Sequence, residues 1–575
     1  MTAQIKERLQ AALTASLERA KAAGDLVLPE PVTPVLEVPR ERSHGDLATN
    51  LAMNLARQEK KNPRLVAEMI VRHFDSTGTY VAATEIAGPG FINFKLDPAW
   101  LGEATRAALL SGASYGRTET GKGQRVLVEF VSANPTGPLL VVQARSAALG
   151  DALCNLFDWA GYEARREFYC NDAGNQLKKL ALSVEVRLRQ LLGESIELPE
   201  EAYPGDYVTD LAREVLEGKA LPEVPEGKAI LEQPEDSRHD RLGLYAVRRI
   251  TDGQKAVLAQ YGVHFDQWVS ERAIREQGWP ERVVELLRER GQTYEQEGAL
   301  WFRSTEFGDD KDRVIIKSDG NFTYVVPDTA YHLNKFERGF DQVIDILGPD
   351  HHGYISRMRA ALAALGKPAG RFEVLISQWI RLVRGGETVS SSKRVGNLFL
   401  LEDLLDEVGA DAARFLMLMR SADTHMDFDL DLAKLQSQDN PVFYVQYAHA
   451  RIASILRQPE AAALVGDLAG AGAGPGAALA GADFSLLTDP AEDELMRHLT
   501  AFPEQVAEAA LAREPHRIAR YATELAGLFH GFYSRCRVLG VEPALSRARL
   551  ALAEATRQTL KNALGLLGVS APEKM

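Results

Sequence analysis

The segment VEFVSANPTGP carries Glu129, Ser132 and Asn134 close together. A carboxylate flanked by two neutral hydrogen-bonding groups can hold a cationic, amine-bearing ligand, although Ser and Asn also serve ordinary turn and cap chemistry. Further along, DQWVSE sets Glu271 directly after an aromatic run, and FTYVVPD spaces Tyr324 and Asp328 four apart, so a phenol and a carboxylate can face one pocket. The stretch EFYCNDAGNQ is dense in amides, and LGPDHHG holds the adjacent His351 and His352. Such a pair more often bonds locally than binds metal, and no third ligand accompanies it. GGETVSSSKRVGN is a Gly-bounded loop whose Lys393 and Arg394 suit phosphate.

These residues sit at the ends of elements that could position them. RVLVEFVSA is a mostly apolar run of the kind expected for a buried parallel strand. It enters the Pro/Gly turn NPTGP, then the helical pattern ARSAALGDALCNLFDWAG, then the strand-like YEARREFYC, which together make a β-turn-α-β unit. RVIIKSD, FTYVVPD, QVIDILGPD and FEVLISQWIRLV repeat the alternation and predict further strands of a doubly wound parallel sheet. Ligands of such a sheet bind at the strands' C-terminal ends, where VSANP, VVPD and LGPD fall.

Around this unit, residues 1–110 predict an α+β module in which helices surround HGDLATNLAMNLAR and GPGFINFKL ends as a strand. Residues 194–240 hold 14 acidic and 4 basic residues and predict a solvated insertion. Beyond Leu398 the pattern is helical to the end, a bundle interrupted by the Ala/Gly-rich stretch 461–484, which predicts a flexible surface loop.

The whole chain of 575 residues has 66 Lys+Arg against 80 Asp+Glu, a net charge of −14, with 45% hydrophobic and 25% charged residues. That length calls for several domains, and the composition is that of an ordinary globular protein. Three scattered cysteines give no disulfide framework, and no Cys/His spacing suits zinc. The N-terminal segment is an amphipathic charged helix and no uncharged run is long enough to span a bilayer, so a cytoplasmic protein without membrane contact is expected.

In order and wording, VEFVSANPTGP, NDAGNQ, LWFRSTEFGDDKDRV, SDGNFTYVVPDTAYHLNKFERGFDQVIDILGPDHHG and HARIASILR resemble arginyl-tRNA synthetase of the bacterial type, from HGDLATN to LLGVSAPEKM. The resemblance implies an α/β class I Rossmann-type catalytic domain with a parallel sheet over 120–385. It also implies an N-terminal additional domain over 1–110 contacting the tRNA elbow, a lysine-signature loop with connecting helices over 386–435, and an all-α anticodon-binding bundle over 440–575. The implied activity is ATP-dependent attachment of L-arginine to tRNA(Arg) through an arginyl-adenylate, with transfer to the 2′-hydroxyl. ATP would enter with Mg²⁺, without zinc or an organic cofactor, and the protein would act as a monomer. The family's arginine pocket maps to Ser132 and Asn134 for the α-amino end, Glu271, Tyr324 and Asp328 for the guanidinium, and His351 for a further contact. Two carboxylates and a phenol suit a planar guanidinium fork better than a lysine. In the bundle, Tyr444, Gln446 and Tyr447 match positions that could stack on or bond anticodon bases, or equally pack the helix.

Both class I ATP signatures depart from the family. His-x-Gly-His falls on Leu140-Val141-Val142-Gln143, and Met-Ser-Lys falls on Ser391-Ser392-Lys393, while Arg145, Gly150 and Asp151 keep the downstream pattern. Loss of one preorganised donor costs about 2.7–4 kcal/mol of transition-state stabilisation. Gln143 could restore one neutral donor; Val142 puts a branched side chain where the family has none. Lys393 and Ser392 would carry the remaining catalysis. The alternatives are an impaired or silent relative that still binds tRNA and arginine, and a scaffold that keeps only the fold; the intact Asn134, Glu271, Tyr324 and Asp328 speak against the last. The net charge does not exclude tRNA, because the acidic insertion alone contributes −10 and residues 501–575 are locally +3.

Overall fold

The computed structural model describes residues 2–28, 32–39, 41–219, 224–389, 399–465 and 475–575. The N-terminal module opens with the helix Thr2–Ala22. Strands β1 (Leu47–Thr49), β2 (Val81–Ala87) and β3 (Phe91–Leu96) form an antiparallel sheet in the order β1-β3-β2. The helix Pro63–Arg72 starts where Asn62 accepts a hydrogen bond from the Arg64 N–H and Pro63 takes the first helical position. Gly90, at φ +137°, lets the β2–β3 turn lie on that helix start; a Cβ there would come within 2.9 Å of the Pro63 backbone.

The central unit is a five-stranded parallel sheet. Its strands β4 (Arg125–Glu129), β5 (Glu163–Cys170), β6 (Gln267–Ser270), β10 (Gln342–Leu347) and β11 (Phe372–Ile376) run in the order β11-β10-β4-β5-β6. Val126, Leu127 and Val128 are buried, as a strand covered on both faces requires. The chain winds outward from β4 through β5 to β6 and later returns to place β10 on the other side of β4, so the topological switch lies between β4 and β10. The crossover helix Val142–Trp159 packs closely on the sheet because Gly150 has no side chain: a Cβ would fall 2.2 Å from the Phe130 ring.

Two predicted sheet strands lie elsewhere. RVIIKSD contributes β9 (Arg313–Ile316), which joins β7 (Thr293–Gln296) and β8 (Ala299–Phe302) in a separate antiparallel sheet. FTYVVPD is not a strand: it leads into the helix Val325–Glu337, whose buried Val326, Ala330 and Leu333 repeat at helical spacing. FEVLISQWIRLV is interrupted at Ser377–Trp379, so that it supplies both β11 and β12 (Ile380–Arg384). Strand β12 lies between β13 (Glu387–Thr388) and β14 (Met426–Asp429); the region after Leu398 is therefore not wholly helical.

The acidic insertion is more than a solvated run. Val208, Leu211, Ala212 and Val215 of the helix Asp206–Leu216 form a core with Leu177, Leu180 and Tyr245, while the charges occupy the other face. Of the Ala/Gly-rich stretch, Ala478 and Leu479 are buried in the short helix Pro475–Leu479, and residues 466–474 lie outside the described residues.

Five helices, Pro441–Leu456, Pro490–Thr500, Phe502–Ala512, His516–Arg535 and Pro543–Leu566, make the C-terminal bundle. Buried polar ties fasten it to the rest. Arg414 donates to the Leu567 carbonyl at 2.9 Å and pairs with Asp151 at 2.5 Å, and the Asn562 amide donates to the Tyr115 carbonyl at 2.9 Å. Arg497 of the bundle pairs with Asp46 of the N-terminal module.

Candidate active site

At the switch point the sheet opens into a cleft enclosing about 370 Å³, lined by the ends of β4 and β10, the start of the helix Val142–Trp159 and the Ser377–Trp379 break. Its floor is a buried ionic network. The Lys335 ammonium is held between Glu129 and Asp345, at 2.8 Å from Asp345 Oδ1. His332 lies within hydrogen-bond distance of Asp345 Oδ2 (2.7 Å), and its other ring nitrogen of the Asp328 carbonyl (2.7 Å). Glu129, His332 and Asp345 are close enough to suggest a cation site, but the Lys335 ammonium already bonds both carboxylates of that set. Burial alone would discharge this lysine; Asp345 and Glu129 outweigh it and raise its pKa. Burial likewise pushes Asp345 up, yet Lys335 and His332 hold it below the usual carboxylate range.

A second buried carboxylate, Glu167 of β5, accepts from the Tyr331 hydroxyl at 2.7 Å and from the Arg338 guanidinium at 2.9 Å. Tyr331 stacks on Tyr169 at 4.4 Å between centroids and so carries the network to the cleft wall.

Ser132 sits in a turn where both it and Val131 have positive φ, +38° and +67°. Such backbone is strained for non-glycine residues. What holds it is the Ser132 hydroxyl, which donates to Glu129 Oε1 at 2.8 Å and accepts the Tyr169 N–H at 3.1 Å. Asp328 lines the same cleft. Burial raises its pKa to about 6; Glu271 and Glu129 add to the rise, and His332 and Arg357 oppose it. Glu271 is buried at the start of the helix Glu271–Glu276, with Arg275 donating to its Oε1 at 2.8 Å. The Asn171 amide, in the orientation that satisfies both its ends, donates to Glu271 Oε2 at 2.9 Å.

The structure thus brings Ser132, Asp328 and Glu271 into one electrostatic neighbourhood but not all the residues the sequence suggested. Tyr324 is 87% exposed at the mouth of its helix and does not line the cleft. The phenol that does is Tyr169, whose pKa is raised by burial and by Glu271 and Asp328. Asn134 is exposed, and its carbonyl accepts from Gln254 at 3.3 Å. The His351 side chain, and all of Ser391, Ser392 and Lys393, lie outside the described residues. Sequence reasoning missed Tyr169 and Lys335; the i, i+3 spacing of His332 and Lys335, which the helix Val325–Glu337 places on one face, was the available signal.

Residues 140–143, where the resemblance places the first ATP signature, have a definite geometry. Leu140 forms an antiparallel bridge with Leu400, fixed by Val141 N–H to Phe399 O at 3.0 Å and Leu401 N–H to Leu139 O at 2.9 Å. Residues 399–401 are thereby pinned to residues 139–141. Val142 and Gln143 line the cleft, and Gln143 accepts the Leu140 N–H through Oε1 at 2.8 Å.

Three family models match the chain: "Arginyl tRNA synthetase N terminal domain" over residues 3–96, "tRNA synthetases class I (R), catalytic domain" over 104–430, and "DALR anticodon binding domain" over 445–575. The arginine–tRNA ligase of Symbiobacterium thermophilum is 53% identical over 572 residues, covering 100% of this chain and 99% of that one. The chain belongs to the arginyl-tRNA synthetase family. The Moorella thermoacetica ligase is 48% identical across 100% of this chain and 99% of its own length. The Thermus thermophilus arginyl-tRNA synthetase structure superposes with a TM-score of 0.73, covering 99% of this chain and 100% of that one; at 23% identity it speaks for the fold.

Within the family frame, the downstream signature residues serve the scaffold. Buried Arg145 donates to the carbonyls of Gln378 (3.1 Å), Thr424 (2.7 Å) and Ser421 (2.7 Å), and Asp151 pairs with Arg166 at 2.9 Å as well as with Arg414. In the DALR bundle, Tyr444 and Tyr447 lie half-buried around His530, with ring centroids 4.9 and 5.9 Å away. Gln446 is different: it is buried, and its amide donates to Asp411 at 2.8 Å and the Ser570 carbonyl at 3.0 Å, which ties the helix to the C-terminal tail.

Proposed function

We propose that this synthetase binds arginine across Glu129, Ser132, Tyr169, Glu271 and Asp328, and joins it to tRNA(Arg) through an arginyl-adenylate formed in the same cleft. Supporting this reading above all is the pairing of a cleft rich in carboxylates with a full-length family match. The guanidinium brings a positive charge to Asp328, whose pKa burial raises to about 6, and so favours its ionised form. ATP enters as its Mg²⁺ complex, a substrate. The arginine carboxylate attacks the α-phosphate in line and pyrophosphate leaves; a ribose hydroxyl of the tRNA's terminal adenosine then attacks the adenylate carbonyl and AMP leaves. Lys393 and Ser392 follow β12 and β13 in the chain and are our candidates for steadying the departing phosphates. Residues 1–110 and the aromatic Tyr444/Tyr447 surface are our candidates for contacting tRNA, with Arg451 placed 4.5 Å over the Tyr533 ring beside them. We take the protein to act as a monomer in the cytoplasm; no helix among the described residues is long and apolar enough to cross a membrane.

The test is arginine-dependent ATP–pyrophosphate exchange with tRNA(Arg) present, comparing the unmodified chain with Leu140→His/Val142→Gly/Gln143→His. Exchange is expected in both. Exchange only in the triple variant would instead make this chain a silent relative.

A further inference from the structure

The helices Asn175–Leu191, Asp206–Leu216 and Glu235–Gln260 form a subdomain with a hydrophobic core of its own, separate from the core around the parallel sheet. The last of the three belongs to both. Its Leu242, Tyr245 and Ala246 lie in the subdomain core, whereas Leu258, near its end, lies in the core of the sheet. Gln254 stands between these stretches and is 1% exposed. An amide buried there needs partners. Its Nε2 donates to the Gly137 carbonyl at 2.9 Å and to the Asn134 carbonyl at 3.3 Å, while its Oε1 has no partner among the described residues. The donor end is therefore what ties this helix to the turn NPTGP.

A second tie reaches the same turn from the acidic insertion. The Tyr207 hydroxyl donates to the Thr136 carbonyl. A Cβ on Gly205 would fall 2.4 Å from the Tyr207 ring, so this ring position needs the glycine that precedes the helix. Burial pushes the Tyr207 pKa up to about 12, which keeps the hydroxyl a donor. Both tying side chains line a cavity of about 220 Å³ that also borders Pro138 and Leu139. Close packing does not fill that space, so the place of the turn there depends on the hydrogen bonds. The turn leads out of the cleft. Ser132, two residues ahead of Asn134, is held at positive φ from the sheet side by Glu129 and Tyr169, and residues 139–141 are anchored to residues 399–401. Residues 134–137 span the gap between those anchors.

We propose that Gln254 and Tyr207 are positioning residues for arginine, on the reading of the cleft as an arginine site. By clasping the carbonyls of Asn134, Thr136 and Gly137 from the helical subdomain, they set the place of Ser132 and Asn134 against the carboxylates of the cleft. Neither side chain touches the substrate; each acts through the backbone of the turn.

The test compares three variants of the full-length chain. Gln254→Met keeps the length of the side chain without its donor, and Tyr207→Phe removes only the hydroxyl. Tyr245→Phe is the control, because its hydroxyl donates to Glu214 within the subdomain and not to the turn. In ATP–pyrophosphate exchange with tRNA(Arg), Gln254→Met should raise the KM for arginine about tenfold and Tyr207→Phe about threefold, from the usual worth of two hydrogen bonds and of one. The KM for ATP should stay unchanged, because residues 139–141 have their own anchor. Tyr245→Phe should lower the unfolding midpoint as Tyr207→Phe does and leave the KM for arginine alone. Calorimetric titration with arginine should give the same ratios without turnover. An unchanged arginine KM in either clasp variant, an equal rise in Tyr245→Phe, or equal rises for arginine and ATP would overturn the assignment. No exchange by the unmodified chain would contradict the ligase reading, and the calorimetric ratios would then decide the clasp. No arginine binding by the unmodified chain would overturn both.

Discussion

The two ends of the cleft are built on different terms. At the proposed arginine end Lys335, Asp345, His332 and Glu129 form one buried, bonded network, and Glu167 is buried beside it with Tyr331 and Arg338 as partners, so the position of each depends on its neighbours. At the other end, Val142 and Gln143 lie at the start of the helix Val142–Trp159, where the Gln143 side chain bonds only locally, to the Leu140 N–H. A buried charge left without its partner is costly, whereas a change at an exposed helix start costs only what its chemistry did. On that difference, changes at Leu140-Val141-Val142-Gln143 should be tolerated far better than changes in the carboxylate network.

The largest effect should therefore come from the arginine end. Lys335→Met leaves Glu129 and Asp345 buried without their cation, and should cost about 3–5 kcal/mol of stability by chemical denaturation. Leu140→His/Val142→Gly/Gln143→His should change stability by about 1 kcal/mol or less. Equal losses in the two would erase the distinction between the ends.

A smaller effect follows from Asp328. Its folded-state pKa of about 6 lies above the ordinary carboxylate value, so in the free protein this group adds stability at low pH and loses it as pH rises through about 6. Arginine binding has the opposite dependence, because the guanidinium needs the ionised form. Arginine affinity should fall about tenfold per pH unit below pH 6, and Asp328→Asn should flatten that slope. A flat profile in the unmodified chain would remove Asp328 from the guanidinium site.

The smallest effect separates packing from RNA contact. Gln446→Ala should cost about 1–2 kcal/mol of stability through its lost bonds to Asp411 and Ser570. Its tRNA affinity should stay unchanged, whereas Tyr447→Ala should weaken tRNA binding in a filter assay. If Gln446→Ala weakens tRNA binding as much, Gln446 reads bases after all.

Much of this was legible in the sequence, and the gaps have physical causes. RVLVE, EARREFYC and QVIDIL are apolar or alternating runs that form strands of the parallel sheet. FTYVVPD misleads because a short β-branched run at a helix start has the composition of a strand, and only the following TAYHLNKF shows the helical period. RVIIKSD is a strand, but local pattern does not say which sheet it joins. At the site, Asp328 and Glu271 were visible as carboxylates at element ends. Tyr169 was not singled out, since a tyrosine inside a strand gives no sign of which face becomes the cleft wall. Trp379 was hidden inside FEVLISQWIRLV, where only the break between β11 and β12 reveals that the indole lines the cleft and is half exposed.

The most direct measurement is charging of a tRNA(Arg) transcript by the unmodified chain with labelled arginine and ATP, read as acid-precipitable label. Arginyl-tRNA should accumulate over multiple turnovers, and Asp328→Asn should require far more arginine to do the same. No charging by the unmodified chain, with full charging by Leu140→His/Val142→Gly/Gln143→His, would contradict the account.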